Sequence, residues 1–387
     1  MRSTAQMVIF FSIFFAVTTS LSFYIYIRGL QSIPPTSTLR HAYTIVFWIV
    51  ALSFIAGRLS EPYLPSFITD LLVWMGSFWI AAMIYFLIAV ISIDLLRAVN
   101  HFLPFFPSAI KADYSRAKYI TSAIVLAAVG LLLLGGHINS MLPRVRRLNI
   151  AIPGKSSKLK RLDIVMVSDV HLGTIVGRSR FDHIVEQINS LEPDLVLLPG
   201  DIVDEDIAPV IKENLGEALR SIKSRFGVYA STGNHEYLGG HIDRACAYLV
   251  EHKISMLRDQ STKIGDSFFL VGREDRSSSM FTGHPRKQLS ELMAAVDRQY
   301  PVILMDHQPF GLREAVNEGV DLQLSGHTHD GQLWPVNYIV KRIYELPWGY
   351  KKIGATHFYV SDGVGTWGPP VRIGNRPEIV QIRVNFE

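Results

Sequence analysis

The chain carries two hydrophobic patterns, which change over near Pro143. Before it lie long apolar runs. Met7 to Ile27 falls between Arg2 and Arg28 with no charged residue inside, and a second run covers 42–57 between His41 and Arg58. A third covers Leu71 to Ile93 between Asp70 and Asp94, and a fourth covers Tyr119 to Gly136 after Lys118. Apolar runs of about 20 residues match a hydrocarbon core about 30 Å thick, so they predict an N-terminal bundle of about four transmembrane helices over residues 1–140. The run over 42–57 is the shortest, and a re-entrant or interfacial segment is its alternative reading. The first run is too long for the apolar core of a secretory signal and no small-residue cleavage site follows it, so its retention as a span is expected. Asp70 and Asp94 stand at span ends and no charge falls in a span centre, so the bundle reads as an anchor and not as a transport path.

After Pro143, residues 144–160 (RVRRLNIAIPGKSSKLK) are basic and contain Pro, Gly and Ser, which predicts a basic surface linker over 141–160 beside lipid headgroups. Short apolar runs then alternate with helical periodicity. Strands are predicted at 162–167, 195–198, 228–230, 268–271, 302–305, 322–324, 357–360 and 379–384. Phe181, Ile184, Val185 and Ile188 recur at i, i+3, i+4 and i+7, one face of a helix, and further helices are predicted over 207–223, 241–251 and 288–296. This alternation predicts an α/β domain over 161–387, with antiparallel strands added towards its C-terminal end.

Composition adjusts the picture in three places. Hydrophobic residues make up 49% and charged residues 19%, and the apolar excess is concentrated in the first 140 residues. The formal net charge of +4 does not point to nucleic acid, because the basic residues cluster beside the apolar runs, where they act on topology. They do not orient the chain, since Arg28, Arg40, Arg97, Lys111, Arg116 and Lys118 on one set of loops balance Arg2, Arg58, Arg144, Arg146 and Arg147 on the other. Cys246 is the single cysteine, so no intramolecular disulfide forms, and it reads as a small buried side chain.

Candidate chemistry gathers where the predicted strands end. Ser168-Asp169-Val170-His171 follows the first, Gly200-Asp201 the second and Gly233-Asn234-His235-Glu236 the third. His307 follows the run 302–305, and Gly326-His327-Thr328-His329 follows 322–324. Ligands of open α/β sheets collect outside the carboxyl ends of strands, so these turns are expected to converge on one rim. Carboxylates with neutral imidazoles suit divalent Zn, Mn or Fe, and a carboxylate can bridge two ions about 3.5–4 Å apart. In Asp-x-His and His-x-His, residues i and i+2 of an extended segment point the same way. Taken singly, Asp-x-His arises by chance, Gly-Asp is an ordinary turn and His307 would pass for a surface residue; their order along one rim is the signal. His183, His241, His252, His284 and His357 lack such context and read as ordinary structural residues. Trp334, Trp348 and Trp367 are read either as packing residues or as a substrate wall or membrane-dipping rim.

With these motifs in order, the segment from about 160 to 387 resembles the calcineurin-like metallophosphoesterase superfamily, whose pattern runs Asp-x-His, Gly-Asp, Gly-Asn-His-(Asp/Glu), a lone His and Gly-His-x-His. It is similar to the membrane-associated subgroup that reads Leu-Ser-Gly-His-Thr-His, here Leu324 to His329, followed by Gly-Asn-Arg-Pro-Glu, here Gly374 to Glu378. The resemblance implies an αββα sandwich. It implies that Asp169, His171 and His329 hold one metal, that Asn234, His307 and His327 hold the other, and that Asp201 bridges them. It also implies that His235 is a catalytic residue that steadies phosphoryl oxygens or protonates the leaving group. Glu236 stands where Asp is commoner, and Asp330 where this subgroup often has Gly, which adds negative charge beside the metals. Asp204, Glu236, Asp306 and Asp330 are candidates for orienting the ligands.

The expected function is a multi-pass membrane phosphoesterase, seated in the cytoplasmic membrane if the cell is bacterial. It would use two divalent ions of the Mn, Fe or Zn type and a metal-activated hydroxide on a phosphodiester, pyrophosphate or phosphomonoester. Anchoring favours a lipid-linked substrate beside the bilayer, a class that in the resembled superfamily includes UDP-diacylglucosamine. The alternative is a non-catalytic membrane scaffold or sensor with structural metals.

Overall fold

The computed structural model describes residues 2–61 and 63–387, and the side chains of residues 12, 13 and 15 onwards among them. The chain divides into two compact units, residues 1–137 with 368–371, and residues 138–367 with 372–387.

Apolar sequence without interior Pro becomes long helix in the first unit. Its elements are α1 (Arg2–Leu30), α2 (Leu39–Ser60), α3 (Ser66–Phe102), the short α4 (Ser108–Ala112) and α5 (Tyr114–Ser140), whose last turn enters the second unit. Among the described residues α2, α3 and α5 are long and apolar enough to cross a membrane. The apolar run Met7 to Ile27 falls in α1 and begins outside the residues whose side chains are described. The short run 42–57 belongs to a helix of 22 residues, so its length suits a full crossing. α3 overruns both ends of its predicted span, and Pro104 stands where the next turn would continue. Asp94 therefore lies inside the helix, where it accepts from Tyr24 Oη at 2.5 Å and pairs with Arg28 at 2.7 Å.

The second unit alternates strands and helices as the periodicity predicts. Its first half comprises β1 (Arg144–Ile152), β2 (Arg161–Met166), α6 (Arg178–Ser190), β3 (Leu195–Pro199), α7 (Ala208–Lys212), α8 (Gly216–Arg220), β4 (Val228–Ser231), α9 (His235–Leu238), α10 (Ile242–Glu251) and β5 (Ile254–Met256). Next come β6 (Gln260–Ile264), β7 (Phe268–Gly272), α11 (Ser278–Thr282), α12 (Leu289–Met293), β8 (Val302–Met305), α13 (Leu312–Asn317) and β9 (Leu322–Ser325). A 3₁₀ turn at His329–Gly331, α14 (Asn337–Ile343), β10 (Gly349–Ile353), β11 (Thr356–Val360) and β12 (Glu378–Phe386) complete it.

These strands form two six-stranded sheets, ordered β1-β12-β2-β3-β4-β5 and β10-β11-β9-β8-β7-β6. The alternation of side chains along each strand builds the layers. Leu162, Ile164, Leu195 and Leu197 of one sheet share a core with Leu270, Ile303, Leu322 and Leu324 of the other. The alternate residues Val271, Leu304 and Val360 pack outward against Leu289 and Leu292 of α12 and Leu312 of α13. α6 connects the parallel neighbours β2 and β3 and buries Phe181, Ile184, Val185 and Ile188, covering the outer face of the first sheet. The result is an αββα sandwich.

The predicted linker needs correction. Residues 144–152 of the stretch 141–160 form β1, which runs parallel to β12 in register from Arg144↔Glu378 to Ile152↔Phe386. Its arginines hide a period of two in which Leu148, Ile150 and Ile152 turn inward, giving a half-buried edge strand. The helix predicted over 207–223 is instead the two short helices α7 and α8, broken at Asn214, whose φ of 51° no helix accommodates. The helix predicted over 288–296 is confined to the single turn and a half of α12.

Candidate metal centre

Five loops at the carboxyl ends of β2, β3, β4, β8 and β9 bring their polar side chains together, and the two sheets share the work. Asp169, His171, Asp201, Asn234 and His235 come from the first sheet, and His307, His327 and His329 from the second. The backbone is not extended here, as the i, i+2 spacing had suggested. Asp169 (φ 53°), His171 (52°), Asp201 (52°), His327 (73°) and His329 (49°) all adopt the left-handed region. Each such non-glycine residue costs about 1–3 kcal/mol and persists only where its surroundings over-determine it.

Glu236 is a large part of what over-determines it. Its buried carboxylate accepts from the backbone N–H groups of Asp201 (3.1 Å), Ile202 (2.7 Å), Val203 (3.0 Å) and Gly233 (2.7 Å), gathering two loops around one anion. Asp201 Oδ1 accepts from His235 N at 2.8 Å, and Asp169 Oδ1 accepts from His327 N at 2.8 Å. Gly326 is required by this closeness, because a Cβ there would run into Ser168 Oγ and Asp169 Oδ2, which are themselves hydrogen-bonded.

Two clusters of ligand-competent atoms result, each with its atoms within 4.8 Å of one another: Asp169, His171 and His329, and Asp201, His307 and His327. His307 Nε2 lies 3.0 Å from Asp201 Oδ2, while its Nδ1 is 2.8 Å from Pro199 O. A carbonyl only accepts, so Nδ1 carries a ring proton and Nε2 is the atom turned to Asp201; burial lowers this imidazole, but Asp201 and Asp169 outweigh it and hold it well above its usual pKa. Asn234 joins this cluster through its Oδ1, 2.7 Å from His327 Nδ1. In the other cluster His171 Nε2 and His329 Nε2 face each other at 3.1 Å, and His171 Nε2 stands 4.0 Å from Asp201 Oδ2. A third group, His171, Asp204 and His235, adjoins them; Asp204 Oδ1 lies 3.4 Å from His171 Nδ1 and 3.0 Å from His235 Nδ1.

Electrostatics follow from burying this much charge. Burial pushes the Asp201 carboxyl up, but His307, His235 and His171 outweigh it and hold Asp201 well below the usual carboxylate range. Asp169 is raised, chiefly by burial. Burial lowers His235, yet Asp201 and Asp204 override it and lift the imidazole to about 9. His327 falls to about 3 through burial and the neighbouring His307, and His329 is driven down by burial, His171 and Arg372. The donor set fits a divalent cation. His307 Nε2 is buried 3.0 Å from the Asp201 carboxylate, and a cation can take the place of the proton between them with imidazole and carboxylate as its donors.

Of the other sequence candidates, Asp306 orients no histidine. Its oxygens accept from Arg273 Nη1 at 3.1 Å and Arg286 Nη1 at 2.7 Å. Asp330 is buried beside His329 with Oδ1 unpartnered, and burial raises its carboxyl. Two residues escaped the sequence reading. Arg372 is fully buried; its Nη2 is 3.2 Å from His329 Nδ1 and donates to the carbonyls of Asp362, Gly363 and Gly365. Asn375 Nδ2 donates to His329 O at 2.7 Å and to Asp330 O at 3.2 Å. The segment Gly374 to Glu378 was the only signal near them, and it carries no spacing that says which side chain reaches the site.

Comparison with known proteins agrees with this geometry. The family model described as calcineurin-like phosphoesterase matches residues 162–331. A Bos taurus protein named transmembrane protein with metallophosphoesterase domain is 30% identical over 285 residues, which cover 70% of this chain and 64% of that protein. A Helicobacter pylori protein named uncharacterized metallophosphoesterase is 32% identical, covering 70% of this chain and 71% of that one. One of the same name from Aquifex aeolicus is 31% identical, covering 64% of this chain and 94% of its own. The chain thus spans less than two thirds of the vertebrate relative and most of the Aquifex one. From five loops on two sheets that bring metal-competent side chains together, and from these relatives, the chain belongs to the calcineurin-like phosphoesterase family.

Proposed function

We propose that the chain is a membrane-anchored, divalent-metal-dependent hydrolase of phosphoric esters, with residues 1–140 as a multi-pass anchor and the hydrolase beginning at β1. The observation that carries the reading is the convergence of Asp169, His171, Asp201, Asn234, His307, His327 and His329 from five loops onto one buried centre. One ion would be held by Asp169, His171 and His329, the other by Asn234, His307 and His327, with Asp201 shared. Ions held there supply the Lewis acidity that makes a water nucleophilic and offsets charge on phosphoryl oxygens.

The chain's own groups do the rest. His235, with its pKa lifted to about 9, carries a second proton at neutral pH. Asp204 takes the side of Nδ1 at 3.0 Å, which leaves Nε2–H to donate to a phosphoryl or leaving-group oxygen. Asp204 thereby sets the orientation of His171 and His235 together.

A lipid-linked diester or pyrophosphate is the favoured substrate. α14 packs against the turn that carries His329 and buries none of its own residues. Tyr338 and Ile339 are each 60% exposed and Ile343 56%, with Lys341 and Arg342 between them. Trp334 and Trp367 are exposed too, and the Trp367 ring is 6.2 Å from that of His235. An apolar surface with basic residues beside the site suits acyl or isoprenoid chains and anionic headgroups.

Hydrolysis of bis(p-nitrophenyl) phosphate with added manganese tests the reading. Asp201→Ala and Asn234→Ala are expected to lower the rate by more than about 100-fold, beyond what residues that merely orient a ligand cost. Equal rates for wild type and both variants would overturn it.

A further inference from the structure

β7 and β8 are parallel neighbours, with Gly272 opposite Met305, so the chain that leaves β7 runs beside the loop carrying Asp306 and His307. This chain segment and the one after α11 wall a cleft of about 320 Å³ whose lining includes Arg273, Arg276, Arg286, Lys287 and Glu314. Four cations face it, and the carboxylates against them are Asp306, Glu314 and Asp259, whose Oδ2 accepts from Lys287 N at 2.6 Å. Arg273 and Arg286 share Asp306, and Arg273 also meets Glu314 at 3.0 Å. Lys287 Nζ donates only to a carbonyl, Asp259 O, at 3.4 Å. Arg276 lies with its guanidinium 5.2 Å over the Phe310 ring, and burial together with the charge of Arg286 lowers its pKa. The floor of the cleft is Arg273, whose side chain is only 4% exposed and whose Nε is buried with no hydrogen-bond partner. Positive charge is thus in excess, and one buried donor remains unused.

The cleft is also joined to the metal centre. Phe310 packs on Tyr344 at 4.6 Å between ring centroids, and Tyr344 meets the His327 ring at 6.0 Å. On the other side, Gln308 Nε2 donates to Asp275 Oδ1 at 2.9 Å, linking the residue after His307 to the residue before Arg276. We propose that this cleft binds a second anionic group of the substrate, a phosphate or carboxylate, while the scissile phosphorus lies at the metal centre. Guanidinium groups with free N–H donors recognise such oxyanions, and a desolvated floor strengthens the contact. The role assigned to the anion rests on the hydrolase reading, but its binding does not.

The test therefore has two arms, both on the full chain in detergent. In the first, EDTA-stripped protein is titrated with sulfate and with inorganic phosphate by calorimetry. Wild type is expected to bind both, and Arg276→Glu and Lys287→Glu, each at an exposed position, to bind at least about tenfold more weakly, the order of one lost charge contact. In the second, manganese-loaded enzyme hydrolyses thymidine 5′-(p-nitrophenyl phosphate) with and without a 3′-phosphate. Arg276→Glu is expected to raise KM about tenfold for the 3′-phosphorylated ester alone, with kcat unchanged, and Arg276→Lys to recover part of it. Anion binding by both glutamate variants equal to wild type overturns the cleft as a site. A KM change that is absent, or equal on both esters, overturns its role in reading a second group. If wild type hydrolyses neither ester, the hydrolase reading fails and the titration still decides the cleft.

Discussion

His307 and His329 are both buried imidazoles at strand ends of the same sheet, yet their protons are placed by opposite kinds of partner. Behind His307 stands the carbonyl of Pro199, which keeps a proton on Nδ1 and turns Nε2 towards Asp201. Behind His329 stands Arg372, which can only donate, so Nδ1 accepts and Nε2 carries the proton, facing His171 Nε2. The Asp201 half has only to exchange the proton between His307 Nε2 and Asp201 for a cation, and keeps its contact with Pro199 in doing so. The Asp169 half must first lose a proton or loosen its contact with Arg372. The same residue types therefore need not give equal sites, because the atom behind each imidazole decides what it offers in front.

This difference can be broken most strongly at the ligands themselves. A calorimetric manganese titration of wild type is expected to show two unequal steps. His307→Ala should remove the tighter and cut bis(p-nitrophenyl) phosphate hydrolysis by more than about 100-fold, whereas His329→Ala should leave the tighter step in place. Two equal steps, or loss of the tighter step in His329→Ala, would contradict the comparison. His235 comes next. Its pKa of about 9 means that the acid form is present below that value and is lost as pH rises through it. His235→Asn should cost about 100-fold in kcat and abolish the alkaline limb of the pH–rate profile, and an alkaline limb that persists would exclude His235 as the proton donor.

Arg372→Met sharpens the comparison, since it removes the donor behind His329 only. Affinity at the weaker step should change by about 10–100-fold while the tighter step stays put, with thermal unfolding of the metal-free protein read in parallel for loss of the buried hydrogen bonds. The smallest expected effect is on stability. Glu236→Gln keeps the shape of the side chain but turns one acceptor into a donor against the clustered N–H groups, and should lower the unfolding free energy by about 1–3 kcal/mol in denaturant titrations.

The candidate ligands were legible in the sequence because each follows a short apolar strand, and Asp201, Asn234 and His327 come directly after a glycine where two loops touch, as Gly326 does against Ser168 and Asp169. What supports the ligands was less legible. Glu236 could be placed near the site from its neighbours Asn234 and His235, but a carboxylate closing over four N–H groups has no sequence pattern, since three of them belong to another loop. Arg372 acts across 43 residues of chain and sits in an irregular segment, where neither period 2 nor period 3.6 indicates direction. β1 was obscured for a different reason. Its period of two is carried by Leu148, Ile150 and Ile152 only, and the three arginines around them read as headgroup contacts. The sheet order was not legible at all, because β12 enters between β1 and β2 from the far end of the chain.

That insertion has a consequence for how the protein is made. β1 follows closely on α5, yet its hydrogen-bonding neighbour is β12, and Arg147 reaches Gln381 across a separation of 234 residues. A nascent chain leaving the ribosome can form its apolar helices early, but the first sheet stays open between β1 and β2 until β12 has been synthesised. Until then β2 exposes an unpaired edge rich in Leu, Ile and Val, next in sequence to the acidic and histidine residues of the centre. Assembly of the first sheet is thus timed by β12, 234 residues after its partner β1, and closure around the centre must wait until that strand has been made.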